Sequence, residues 1–589
     1  MHWTRPKKTR RGAALITTVI LLLALAVTAT GLLSLVGGTM AQAGHRADTT
    51  EALNTADAGV DLAILWLKNQ PNGMPPDGTA CQFPVGNQFF GTTGTLLHPF
   101  RATDDGSTLT VKLDWATTNT NSTQKHYVID STGKTASGVT VTVRAFVQQT
   151  SFGKYAYFLD NWASNGFWVS DLSQFDGPMH CNNTNGVAAN ILWKNHSGVA
   201  PIWTTTGPDA FTSRLPTKWY LNGTGGYPNG GTPPQSNADW YDVSAGGKNS
   251  IQDGTGSAVP LPTANTVQHD AALGPTTPES AATAATGVTI PTLGGTTNGG
   301  LYVHGDVQQM TLNALADPYG NKTIQQVIIQ QTDAAGKPYT TTVTMNPQSN
   351  QTQVQITSTS ATGTVTTQAA AGSPFTGMTN GVIYCDGNVG NQGSGAAGNS
   401  AKSGGLSGTI ADNYVVAGQI QHQNALTISS QFSDTANLAD ANNKNVNVCG
   451  NLTFATPRAQ QTNVALNSGT LGIVSTNVEI VDKDNSGNAL TDVEVDADVV
   501  AQNTYDAIDY TTRTNKDAAG NPNQFVNFGG YVARNFGFFG QMDLSGNLLE
   551  GFNPKFTYDT RMANHPPPYF PTTSSHYDIL SWQRVTAPL

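Results

Sequence analysis

The acidic residues of the C-terminal third are the first groups whose spacing could do chemistry. In TDVEVDAD, Asp492, Glu494, Asp496 and Asp498 alternate with Val493, Val495 and Ala497. Successive side chains on a strand point to opposite faces, so this spacing predicts four carboxylates on one face. A row of that kind is either a solvated strand face or the acid cluster of a carbohydrate-active enzyme, and the solvated face is the simpler reading. Just upstream, VDKDNSGN sets Asp482, Asp484, Ser486 and Asn488 around Gly487. These residues match the first half of a calcium loop, but Val493 stands where the loop's bidentate Glu belongs. Apolar flanks favour a hairpin turn, with Asp482, Asp484 and Asn488 kept as the calcium candidates. No GxSxG elbow, HExxH pair or phosphate-binding glycine loop occurs, and the histidines are scattered. Neither a cofactor nor a catalytic residue is expected.

Four cysteines, Cys81, Cys181, Cys385 and Cys449, form no CxxC pair. An even count in an exported chain permits disulfides, and isolated buried thiols are an equal alternative. If Gly387 of IYCDGNV matches Gly450 of VCGNLTF, Cys385 and Cys449 stand at different offsets from their glycines and point to opposite faces. That argues against bridging them and leaves Cys81–Cys181 as the pair to consider.

The elements that must carry these residues are β-rich. Only 12% of the 589 residues are charged, while Gly alone contributes 62. Polarity therefore comes from neutral Thr, Asn and Gly, which suits turn-rich β structure. The net charge of -10 argues against nucleic acid as a partner. HYVIDSTGKTASGVTVTVRAFVQQT, from His126, alternates in two runs across a turn and predicts a hairpin. LYVHGDV (301–307) and IYCDGNV (383–389) repeat one frame, with VCGNLTF (448–454) as a looser third copy. Strand-like runs at that spacing, with Gly and Asn at the corners, predict a β-solenoid or parallel β-helix. A large antiparallel β-sandwich is the alternative. PPPYFP (566–571) followed by SHYDILSW reads as a C-terminal clamp, with Trp582 packed on the body.

The N-terminus is of another kind. Arg5, Lys7, Lys8, Arg10 and Arg11 precede an uncharged run from Ala13 to Val36. As a helix this run is about 36 Å long, enough to cross a hydrocarbon core of about 30 Å. The basic flank should stay in the cytoplasm and the body outside. From Arg46 to Asn69, Leu53, Ala56, Val60, Ile64 and Leu67 recur at helical spacing, with Glu51, Asn54, Asp57 and Asp61 mostly off that stripe. Three readings compete: a cleaved signal peptide (after Ala29 or Ala43), a plain membrane anchor, and a signal cut on the cytoplasmic side at Gly12. The expected organisation is a basic leader (1–12) and a helix (13–69), with its membrane span at about 13–36 and its stem at about 46–69. An irregular β-rich region (70–298) and a solenoid-like domain (299–589) follow.

RRGAALITTVILLLALAVTATGLLSL followed by EALNTADAGVDLAILWL resembles the N-terminal region of PilX-type minor pilins and related pseudopilins. The resemblance implies a prepilin peptidase cut between Gly12 and Ala13, pilin-like subunits as partners, and a single-pass inner-membrane anchor. It departs from major pilins at Thr17, where they place Glu. That shifts the implied role from bulk filament subunit to minor or assembly component. The phrases TSFGKYAYFLDN, DGPMHCNNTNG, NGVIYCDGNVGN, VNVCGNLTF and FTYDTRMANHPPPYFPTTSSHYDILSWQRV resemble the uncharacterised domain that follows PilX-like anchors in envelope proteins. That family implies no catalytic residues.

Overall fold

The computed structural model describes residues 11–68, 95–97, 108–115, 126–162, 167–170, 174–186, 190–194, 211–221, 241, 245–252, 254, 258–316, 323–359, 365–393, 402–412, 414–416, 419–421, 424–432, 442–456, 469–481, 483–507, 523–542, 548–563 and 565–586. The protein is mainly β, with one long N-terminal apolar helix. The chain divides into two units.

The first unit contains that helix, α1 (Arg11–Lys68), 58 residues long. Its second half lies on a sheet ordered Thr95–Leu97, Thr108–Trp115, His126–Lys134, Thr140–Ser151, Thr572–Val585. The expected hairpin is present: His126–Lys134 and Thr140–Ser151 pair antiparallel, with Asp130 opposite Arg144. Arg144 closes a bidentate ion pair on the buried Asp130, at 2.7 and 2.8 Å. Ala56, Val60, Ala63, Ile64 and Leu67 of α1 are buried against Val111, Tyr127, Ile129, Val143, Ala145, Val147 and Tyr577. Helical periodicity thus fixes which face of the stem docks. A Cβ at Gly133 would fall 2.2 Å from Ala52 O and 2.7 Å from Ala56 N, so glycine is what lets the strand meet the helix backbone.

The second unit winds between two sheets. Strands alternate along the chain: Leu301–His304, Val382–Cys385, Leu426–Ser430, Leu471–Ser475, Asp498–Ala501 and Tyr531–Asn535 enter an eleven-stranded sheet. The strands between them, such as Gln309–Ala316, Gly405–Ile410, Asn445–Phe454, Val493–Val495, Gln524–Phe528 and Asn553–Thr557, enter a sixteen-stranded sheet. In the first sheet every neighbouring pair is parallel except Gly287–Thr289 with Leu301–His304. The winding is solenoid-like, and the sheets are not closed into a barrel. Antiparallel pairing in the second sheet lies in the hairpins between 309 and 376 and in the short strands at 292–297.

The repeated frames stack in register: Leu301 on Ile383, Tyr302 on Tyr384, Val303 on Cys385, and Val307 on Val389. The third frame is corrected by one strand. Val389 bridges Val446, while VCGNLTF itself pairs with Gly405–Ile410 in the other sheet. The eleven-stranded sheet also takes strands from both sides of residue 298. Tyr157–Asn161 lies parallel to Tyr531–Asn535, so an early coil stacks on the last one. Inside that junction Tyr157 stacks on Tyr531 at 4.3 Å and Tyr531 on Tyr505 at 5.2 Å.

Strands such as LGIVS and DVVA are buried at every residue, because the eleven-stranded sheet is covered on both faces. Its inner face meets the common core. Its outer face carries Phe158, Val474, Val500 and Val532, against which Val259, Leu261 and Phe570 pack. Within the stretch expected to be irregular and β-rich, residues 258–297 therefore include the helices Thr266–Leu273 and Glu279–Ala282. In PPPYFP, Pro568 O accepts from Thr427, and Phe570 is 1% exposed. Trp582 does not pack on the body. It is 45% exposed, and its Nε1–H donates to Asp57 Oδ1 of the α1 stem at 2.8 Å.

At one corner of the coils the asparagines form a row. Asn161 Nδ2 donates to Asn535 Oδ1 (3.5 Å), Asn535 to Asn503 (2.8 Å), Asn503 to Asn477 (2.9 Å) and Asn477 to Asn445 (2.8 Å). Asn445 Nδ2 then donates to Gln392 Oε1 at 3.1 Å.

Candidate functional site

The feature that asks for a partner is the first half of α1. Its large apolar side chains from Leu15 to Met40 are between 47% and 73% exposed. The most apolar window of the helix has a mean hydropathy of 2.6, and none of it is buried. Fourteen large apolar side chains lie in this stretch. At about 1.5 kcal/mol each, leaving them in water costs on the order of 20 kcal/mol, which no soluble domain carries without a use. The helix is apolar on all sides, unlike the stem, and that is the pattern of a segment surrounded by lipid or by other apolar helices.

The polar residues of this half are adapted to such surroundings. Thr28 Oγ1 donates to Ala24 O at 2.9 Å, Thr30 to Ala26 O at 2.7 Å, and Thr39 to Val36 O at 2.9 Å. Bonding back to the helix's own carbonyls hides each hydroxyl from an apolar medium. Thr17 does the same with Ala14 O at 3.1 Å, so the position offers a neighbour no charge.

Arg11, Gly12 and Ala13 form the start of α1; Arg5, Lys7, Lys8 and Arg10 lie outside the described residues. Polar contacts tie the stem down near its start and at its middle. Asp48 Oδ2 accepts from Ser137 Oγ at 2.9 Å, and Asp57 accepts from Trp582. The sequence did not single out either contact; Trp582 was visible as a late aromatic but its partner was not.

The acidic row does not form a site. Val493–Val495 belongs to the sixteen-stranded sheet and Asp498–Ala501 to the eleven-stranded one, so a corner at 496–497 splits the four acids. Asp492 Oδ1 accepts from Gln524 N, and Asp496 Oδ2 accepts from Phe454 N. Asp498 is 1% exposed, beside the buried Asp559–Arg561 ion pair. Burial first, then the charge of Asp559, pushes its carboxyl well up from the usual range. Asp492 and Asp496 thus bond to the backbone of neighbouring strands.

The calcium candidates resolve into a turn. Asp484 Oδ1 accepts from Ser486 N and Asn488 N at 2.8 Å, and Oδ2 accepts from Asn488 Nδ2 at 3.0 Å. Lys483 and Ala489 bridge across it, and Gly487 takes φ +83°. Hydrogen bonds from Asn488 hold the Asp484 carboxyl below its ordinary range. Asp482 lies outside the described residues. No group of three or more His, Cys, Asp or Glu among the described residues could hold a metal.

Cys385 and Cys449 are buried thiols in different sheets. Burial raises Cys449 to about 11 and Cys385 further still. Cys181 is buried, its Sγ 2.9 Å from Asn183 Oδ1. Cys81 lies outside the described residues, and with it the Cys81–Cys181 pairing.

No protein-family model matches the chain, and a search of curated proteins finds no match. Among solved structures, the chain is similar to the competence-associated pilin ComZ from Thermus thermophilus, at 14% identity and a TM-score of 0.25. That similarity covers 91% of this chain and 97% of the other.

Proposed function

We propose that this protein is a minor pilin-like structural or assembly component of a type IV pilus-type system. In this reading α1 holds it in the inner membrane before assembly, with the N-terminus cytoplasmic and the body outside. Prepilin peptidase removes the leader between Gly12 and Ala13. The apolar half of α1 then exchanges lipid for the helices of other pilin-like subunits, and the β-rich body is presented at the surface.

One observation carries this reading: α1 is bare and apolar all round over its first half, yet docked by a single stripe over its second. A spacer-anchored enzyme or a secreted protein needs no such continuation of its membrane segment into a stem docked on its own sheet. A filament subunit does, because the helix must transmit a fixed position and rotation from its neighbours to the sheet it carries. Thr17 supports a minor place, since its back-bonded hydroxyl cannot supply the charge that major subunits offer there.

The experiment is N-terminal mass spectrometry of the mature protein from cells with and without prepilin peptidase. A peptidase-dependent start at Ala13 is the expected result. An intact Met1 would favour a surface adhesin that stays in the membrane, and a start near Gly44 would make the chain a secreted protein; either overturns the proposal.

A further inference from the structure

Between residues 309 and 376 the sixteen-stranded sheet grows a set of antiparallel hairpins. Its strands are Gln309–Ala316, Thr323–Thr332, Pro338–Asn346, Gln351–Thr359 and Val365–Ala369, with Gly405–Ile410 beside the first. None of these six strands contains an Asp, Glu, Lys, Arg or His. Their inner residues, among them Val327, Ile329, Val343 and Met345, are buried in the common core. Their outer residues are mostly Thr and Gln, with Asn313, Asn346 and Ser407 among them and Leu315, Ile328 and Val365 as apolar exceptions. Soluble proteins usually keep exposed sheets apart with charge, so a broad uncharged face is a departure that calls for a partner.

We infer that this outer face is a docking surface for a neutral polysaccharide. Three observations point to that chemistry. Among the described residues the strands of this face carry no ionised group, and charges such as Asp306, Lys483 and Asp484 line a cleft only at one edge, beside Gln309, Gln330 and Thr332, so the face itself has nothing with which to hold a nucleic acid, an anionic lipid headgroup or a charged glycan. It is not apolar either: hydroxyls and primary amides offer donors and acceptors together, which is what a partner covered in neutral hydroxyls requires. Its side chains are also held in place before any partner arrives. Asn313 Nδ2 donates to Gln326 Oε1 at 3.1 Å, Gln326 Nε2 to Thr344 Oγ1 at 3.4 Å, and the Thr357 and Thr367 hydroxyls lie 2.9 Å apart. Those cross-strand bonds fix flexible amides on a grid of about 4.8 Å between strands and about 6.8 Å along them, and so lower the entropy lost on binding. The face is open, with the outermost strand Val365–Ala369 exposed at every residue. An extended carbohydrate surface fits such a face; a single buried sugar does not.

The test uses the full-length protein in detergent, mixed with insoluble cellulose, chitin or an α-glucan and sedimented. The expected result is co-sedimentation with at least one of them, unchanged between about 0.05 and about 0.5 M salt because no ion pair is involved. Thr342 and Gln355 are cross-strand partners. The variant Thr342→Glu/Gln355→Lys places an ion pair on the face at unchanged net charge. It is expected to weaken the apparent Kd at least about tenfold with the melting temperature unchanged. Gln353→Lys, at an exposed position, should act in the same direction and guards against misfolding of the double variant. No sedimentation with any of the three polymers overturns the inference. So does binding that salt abolishes, binding that both variants retain, or self-association of the wild type through this face, which both variants abolish, without polysaccharide.

Discussion

At Gly133 a single hydrogen atom in place of a methyl decides how close the stem comes to its sheet. The nearest obstacles to a Cβ there are backbone atoms of α1, Ala52 O and Ala56 N, which cannot rotate away. Gly133→Ala is therefore expected to destabilise the first unit by about 1–3 kcal/mol, read by urea unfolding, with the helical Gly31→Ala, which meets nothing within 4 Å, as a control that does not destabilise. Asp506 gives a different residue-scale test. It stacks beside Glu479 on adjacent strands, and Lys402 Nζ lies 2.7 Å from both Glu479 oxygens. Burial first, then the Glu479 charge, raises the Asp506 carboxyl to about 7, with Thr504 and Lys402 offsetting part. An unfolded Asp titrates near about 3.9, so the folded state binds the proton more tightly. Its stabilising contribution is complete below about pH 4 and is lost as pH rises to about 7. Asp506→Asn should accordingly raise the melting temperature relative to wild type at pH 8 and much less at pH 4, as followed by circular dichroism; an equal effect at both would refute the assignment.

At the scale of the element, what could be read in advance depended on how local the signal was. The stem stripe Ala56, Val60, Ile64 and Leu67 docks as its 3.6-residue spacing requires, and the hairpin from His126 pairs as its alternation requires. LYVHGDV and IYCDGNV stack because equal frames make equal turns. The acidic row misled for a physical reason: alternation continues through Asp496 and Ala497 while the chain turns a corner with neither Gly nor Pro to mark it. VCGNLTF misled because the frame repeats in composition while the coil places Val446 on Val389. The asparagine row was visible only as a high Asn content, since its members are 26 to 374 residues apart along the chain. It makes its own prediction. Asn503→Ala removes the acceptor of the Asn535 amide and leaves Asn477 Oδ1 with the Thr504 hydroxyl alone, and should cost about 1–3 kcal/mol in denaturant unfolding. A loss within the roughly 0.5 kcal/mol usual for surface changes would mean that water replaces the row.

For the molecule as a whole, the division of labour runs along α1. Truncation at Arg46 removes the bare apolar half and keeps every stem contact with the sheet. A chain starting there is expected to stay in the soluble fraction with an unchanged melting temperature, whereas the full chain partitions with membranes on fractionation. Loss of folding on truncation would show that the apolar half is structural after all. The order of the coils was the part least legible beforehand. Sequence runs forward, yet Tyr157–Asn161 takes its place after Tyr531–Asn535, joined across that junction by the Tyr157–Tyr531 ring contact and the Asn161–Asn535 amide pair. Long-range stacking of this kind leaves no periodic trace in either segment.

The asparagine row has a directional consequence. A primary amide has one end that gives a proton and one that takes it, so in a single file each residue must face the same way as the one before. The backbone amide of Asn185 can only give, and it gives to Asn161 Oδ1 at 2.9 Å. That contact, with the Thr184 hydroxyl donating to the same oxygen at 2.8 Å, turns Asn161's nitrogen toward Asn535, and the same orientation is then imposed on Asn503, Asn477 and Asn445 in succession. The corner therefore obeys an ice rule in one dimension: no amide in the file can flip alone, and one fixed terminus sets the polarity of the whole edge.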